Sequence, residues 1–106
     1  MYIVILITCP NRKEAQKIAR ALISEKLAAC VNIIENIQSL FWWKANLEHA
    51  RESLLIVKSG KLKLAKIIRL VKSLHSYQVP EIIALPILAG NKDYLRWIDE
   101  SIRKSH

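Results

Sequence analysis

Residues 2–8 read Tyr-Ile-Val-Ile-Leu-Ile-Thr. This nearly unbroken β-branched run has no polar face, so it predicts a strand buried on both sides in the middle of a sheet. A central strand needs neighbours and covering layers, and the rest of the chain supplies both. Pro10 breaks the run. Asn11 can cap a helix, with Glu14 three residues on, the spacing of a capping box. Ala15, Ile18, Ala19, Leu22 and Ile23 then follow at i, i+3, i+4, i+7 and i+8, which is one helical face.

From Ala29 the period changes to two. Ala29, Val31 and Ile33 point one way, the pattern slips at Ile34 and Glu35, and it resumes toward Leu40 and Trp43. The slip predicts a long strand carrying a bulge. Residues 44–49 read as a polar hairpin tip and residues 52–58 as the return strand. Ser59 is expected to cap a second helix whose inner face carries Leu64, Ile67, Ile68, Val71 and Leu74. Residues 82–88 form a fourth strand. Pro80 and Pro86 lack donors, which assigns it to a sheet edge. Gly90 ends it, and Asn91 caps a last helix bearing Tyr94, Leu95, Ile98 and Ile102.

The order β-α-β-β-α-β plus a C-terminal helix gives an α+β class: a ferredoxin-like sandwich of two right-handed split units, with the first and third strands central. Its 106 residues predict a single domain, 1–106. The apolar start lacks a basic segment and a small-residue cleavage site. No apolar run approaches the roughly 18 residues of a membrane span. The expected setting is the cytoplasm, with no membrane. Cys9 and Cys30 are too few for a disulfide scaffold.

The long hairpin raises a difficulty. Leu40, Phe41, Trp42 and Trp43 lie in a row beyond the reach of the short first strand. Exposed, they would promote aggregation, so a partner subunit is expected to cover them.

Candidate chemistry is sparse. Cys9 stands just before a helix start, where the helix N-terminus favours a reactive thiolate or a soft metal ligand. Cys30 on its strand reads as a small buried hydrophobe. His75 lies between a helix and a strand. It can ligate metal or shuttle a proton, or it can bond backbone at the helix end. Lys58 and Glu81, at a strand end and a strand start, read as surface charge or as ligand contacts in a cleft. No Gly-rich phosphate loop, nucleophile elbow or zinc-type spacing is present, so no enzyme is expected. The formal charge is +8, from 17 Lys and Arg against 9 Asp and Glu. The third strand has no aromatic residue on which bases would stack, and the cations of the second helix fit a solvated face equally well, so a nucleic-acid partner is not expected. The excess charge reads as a solvated surface.

The segments Thr8-Cys9-Pro10, Leu27-Ala28-Ala29-Cys30-Val31-Asn32, Leu40-Phe41-Trp42-Trp43, His75-Ser76-Tyr77, Val79-Pro80-Glu81-Ile82 and Tyr94-Leu95-Arg96-Trp97 together resemble the CutA divalent-cation tolerance family over nearly the whole chain. The resemblance implies a homotrimer with interlocking hairpins, a part in the response to metal ions, binding of copper or another divalent metal, no required cofactor and no established enzymatic activity. Bacterial members with proposed copper ligands carry a Cys where Ile7 stands and a His-His pair where Leu74 and His75 stand, so His75 alone is carried over as a metal ligand. Ser76 replaces a common Pro. Ala45 lies near a common hairpin Gly, so it is expected to use a different turn if that Gly needs a positive φ. A cleft between subunits is implied around Lys58, His75, Tyr77 and Glu81, bordered by Asn32 and Trp43. The alternative is a trimeric regulatory or scaffold protein that binds a small anionic ligand or a partner protein there.

Overall fold

The computed structural model describes residues 1–103. Its elements are β1 (Tyr2–Cys9), α1 (Arg12–Ser24), β2 (Cys30–Trp43), β3 (Asn46–Gly60), a 3-10 turn (Lys61–Lys63), α2 (Leu64–Leu74), β4 (Ile82–Pro86) and α3 (Lys92–Ile102). The four strands form one antiparallel sheet in the order β2-β3-β1-β4. This is the ferredoxin-like order, with β1 and β3 central and the proline-bearing β4 at an edge.

Strand alternation sorts the sheet into two faces. Ile3, Ile5, Ile7 and Cys9 of β1 and Leu55, Val57 and Ser59 of β3 are buried beneath α1 and α2. Ala15, Ile18, Ala19 and Leu22 of α1 and Ile67 and Val71 of α2 complete this core. On the opposite face Val4 pairs with Lys58 and Leu85, and Leu6 pairs with Ile56 and Ile83. α3 crosses one end of that face. The Tyr2 hydroxyl donates to Asp99 at 2.5 Å, and a Cβ at Gly60 would stand 3.2 Å from Ile102 Cδ1.

The bulge falls where the pattern slips: pairing shifts register between Ile34 and Ile37, and Asn36 takes a φ of 61°. Two expectations of the sequence are corrected. Ser59 does not cap a helix; it belongs to β3, and its buried hydroxyl donates to the Leu27 carbonyl at 2.6 Å. The helical segment after it instead opens with a 3-10 turn and has no side-chain cap. The hairpin tip is also shorter than its polar residues suggest. Trp43 pairs with Asn46, leaving a two-residue turn of Lys44 and Ala45 with φ of 49° and 65°. Residues 46–49 are paired strand, opposite Trp43, Trp42, Phe41 and Leu40.

Ala45 therefore keeps the positive φ that a two-residue hairpin turn demands. A side chain in this region costs about 1–2 kcal/mol, and glycine returns part of that gain through its looser unfolded state. Ala45→Gly is expected to raise stability by about 0.5–1 kcal/mol. At fixed protein concentration this reads as a higher denaturation midpoint with an unchanged slope.

Candidate functional site

His75 ends α2 in an extended conformation, while its backbone N–H still donates to the Val71 carbonyl at 2.9 Å. This break turns the imidazole inward against the end of β1, where it is fully buried. Nε2 lies 2.6 Å from the Thr8 carbonyl oxygen. A carbonyl only accepts, so Nε2 carries the ring proton. Nδ1 accepts from the Tyr77 backbone N–H at 3.1 Å, which fixes the neutral tautomer with its lone pair on Nδ1. The Tyr77 N–H takes up that lone pair, and Glu14 Oε2 lies 3.3 Å from the same nitrogen.

Glu14 performs only half of a capping box. Its N–H donates to Asn11 Oδ1 at 2.8 Å, as the spacing predicts. Its carboxylate does not return to the cap, however. It crosses to the loop after α2 and accepts from the Ser76 N–H at 3.2 Å. Cys9 closes the group: donor atoms of Cys9, Glu14 and His75 all lie within 4.8 Å of one another.

The electrostatics overturn the expectation of a reactive Cys9. The side chain is fully buried, and its thiol is pushed up to about 12, first by desolvation and then by the charges of Glu14 and Glu52. Loss of water outweighs the helix N-terminus here, so Cys9 holds its proton at neutral pH. Tyr77 is raised as well, by burial and then by its hydroxyl bond to Glu52 Oε2 at 2.8 Å. Its ring packs against His75, with centroids 4.9 Å apart.

Beside this group an open cleft of about 880 Å³ lies between the hairpin and the loop that follows α2. Leu40, Phe41, Trp43 and Val79 supply apolar wall. Glu48, Glu52 and Glu81 supply carboxylates, and among the described residues no Lys or Arg lines it. A small anion is a poor match for such a cleft.

Within one protomer the residues carried over from the family fall in two places. His75 and Tyr77 gather at the far end of β1, and Tyr77 and Glu81 line the cleft there; Trp43 stands at the hairpin tip, paired with Asn46, and shares only the lining of that cleft. Lys58 and Asn32 do not join them: Lys58 Nζ donates to Asn32 Oδ1 and stands 3.9 Å from Cys30 Sγ. Lys58 pairs with Val4, whereas His75 bonds Thr8, four residues along β1. At about 3.3 Å per residue the two places are roughly 13 Å apart. Cys30 is also half-exposed, not buried, because it sits on the edge strand β2 away from α1 and α2. Glu14 and Glu52 are the residues that sequence reasoning missed. Glu14 carried a complete local explanation as a helix-start residue. Glu52 stood in an apolar strand with nothing to show that it would be buried.

The family model for the CutA1 divalent ion tolerance protein matches residues 3–101. The chloroplastic protein CutA 1 of Oryza sativa is 46% identical over 103 residues, covering 97% of this chain and 58% of the rice protein, so the chain spans somewhat over half of that relative. The divalent-cation tolerance protein CutA of Thermus thermophilus is 46% identical over 92% of this chain and 95% of its own length. The structure of the periplasmic divalent cation tolerance protein CutA from Archaeoglobus fulgidus superposes with a TM-score of 0.94 at 47% identity, covering 97% of this chain and all of that one.

Proposed function

The chain belongs to the CutA1 divalent ion tolerance family, and we propose that it is a non-enzymatic homotrimer of the cytoplasm that holds a divalent cation through Cys9, Glu14 and His75. One observation carries the metal reading: a sulfur, a carboxylate oxygen and an imidazole nitrogen converge within 4.8 Å, and an ion bound there would displace the Tyr77 N–H from the Nδ1 lone pair. Its other nitrogen donates to the Thr8 carbonyl, the kind of outer partner that orients metal-bound histidines. Nitrogen and sulfur donors suit zinc and copper, at bond lengths of about 2.0–2.3 Å for zinc. Ile7 is buried in the core and Leu74 is packed against it, so neither can bind an ion.

Support for the trimer comes from the sheet. β2 and β4 are both unpaired edges, and Ile34, Ile83 and Leu85 are exposed on the face away from α1 and α2. Phe41, Trp42 and Trp43 are exposed on the hairpin in the same chain. An unprotected edge beside apolar surface is a template for pairing with another copy.

Native mass spectrometry with zinc and with copper(II) tests the metal reading. One ion per chain is expected, and Cys9→Ala, which leaves a small apolar group in the core, is expected to abolish uptake. Uptake unchanged in Cys9→Ala would remove these residues from the proposal. The pH dependence has a definite sign. The ion must displace a proton from a thiol whose pKa lies near 12, so affinity should rise about tenfold per pH unit between about pH 6 and 8, without a plateau.

A further inference from the structure

The charge of this chain is segregated by layer. Residues 12–26 and 61–72, which make α1, α2 and their flanks, hold ten Lys and Arg against two Glu, a net of +8. The remainder holds seven Lys and Arg against seven Asp and Glu and is neutral. The whole formal charge of +8 thus sits on one side of the sheet. One of the two acids, Glu14, is turned inward to His75 and Ser76, which leaves Glu25 as the only carboxylate facing outward from this layer.

The cations are arranged in rows. Lys13, Lys17 and Arg20 are exposed at i, i+4 and i+7 on α1, and Arg69 and Lys72 are exposed at i and i+3 on the neighbouring α2. The ion pairs found among the described residues, His75–Glu14 and Arg96–Asp93, involve none of these five. At 1.5 Å per residue the α1 row spans about 10 Å, three phosphate steps of a duplex strand at about 3.4 Å each. Packed helices lie about 8–10 Å apart, between the roughly 6 Å and 12 Å widths of the duplex grooves, so long side chains from two rows reach the strands on both sides of a groove.

We propose that the α1–α2 layer is a docking face for the phosphate backbone of a nucleic-acid duplex, without sequence preference. Neither segment contains Phe, Trp or Tyr, so no base can be stacked, and an unstacked single strand is a poorer partner than a duplex. The large apolar side chains exposed in these segments are Ile23 and Leu62, 43% and 96% exposed, and neither lies between Lys13 and Arg20 or between Arg69 and Lys72, so no continuous apolar stripe runs beside the cations to enter a lipid surface. This face lies across the sheet from the surface expected to join subunits and is independent of the metal reading.

The test is fluorescence anisotropy of a labelled duplex of about 20 base pairs with the intact protein. Five neutralised phosphates predict a log–log salt slope near −4.5, hence binding about five-hundredfold weaker at 200 mM than at 50 mM salt. Lys17→Ala and Arg69→Ala should each reduce the slope by about one. Lys17→Glu combined with Arg69→Glu should weaken binding at least about a hundredfold, whereas Lys92→Glu combined with Arg96→Glu on α3, an equal change in net charge, should leave it within about twofold. Circular dichroism verifies that all variants fold. Absence of duplex binding at 50 mM salt, equal weakening by the α3 pair, or an unchanged slope in the single variants overturns the proposal. Binding to phosphatidylserine vesicles without duplex binding would assign the face to a membrane surface and overturn it equally.

Discussion

Trp42→Asp is expected to convert the proposed trimer into monomers or aggregates, with the same outcome for Trp43→Asp. Trp42 is 73% exposed and Trp43 and Phe41 are each 39% exposed in the single chain. A fully covered tryptophan buries about 150–250 Å²; covering only what is still exposed, at about 25 cal/mol per Å², contributes roughly 3–5 kcal/mol for Trp42 and roughly 1.5–2.5 kcal/mol for Trp43. A cyclic assembly repeats the contact at each interface, so one substitution removes it everywhere at once. An aspartate placed there must also be desolvated without a partner, at a cost of several kcal/mol more. Size-exclusion chromatography with light scattering reads the result. If both variants remain trimeric with unchanged unfolding midpoints, the hairpin does not hold the assembly together.

His75→Ala is expected to destabilise the fold by about 3–5 kcal/mol as well as to abolish metal uptake. The substitution strips the Thr8 carbonyl and the Tyr77 N–H of their partners and leaves the Glu14 carboxylate facing a void. Buried groups left unpaired cost about 1–3 kcal/mol each, and the cavity adds to that. Denaturant unfolding in the presence of a chelator measures the structural part. Cys9→Ala separates the two roles, since it should lose the ion while keeping most of the stability. A His75→Ala variant as stable as the parent would mean that the bonds at Thr8 and Tyr77 contribute little.

The elements were legible because each is encoded by local spacing. The core face of α1, the slip at Ile34 that became a bulge, the Asn11 and Asn91 caps and the edge position of β4 all follow from residues within a few positions of one another. Local rules misled where a residue's partner is distant. Ser59 has the chemistry of a cap but bonds Leu27, and Glu14 has the spacing of a capping box but serves residues 75 and 76. Cys9 shows the same limit: its place before a helix suggested a thiolate, and only its burial among carboxylates raised its pKa.

By itself the sequence determined the order of elements, the ferredoxin-like strand arrangement and the apolar row on the long hairpin, since hydrophobic period and backbone restrictions act over short range. The tertiary structure alone decided which side chains share a site. It drew Cys9, Glu14 and His75 together and set Lys58 and Asn32 apart from them, and it collected the chain's net charge on one helical layer. Such groupings depend on register and crossover, which bring residues more than sixty positions apart within hydrogen-bonding reach and leave no periodic trace along the chain.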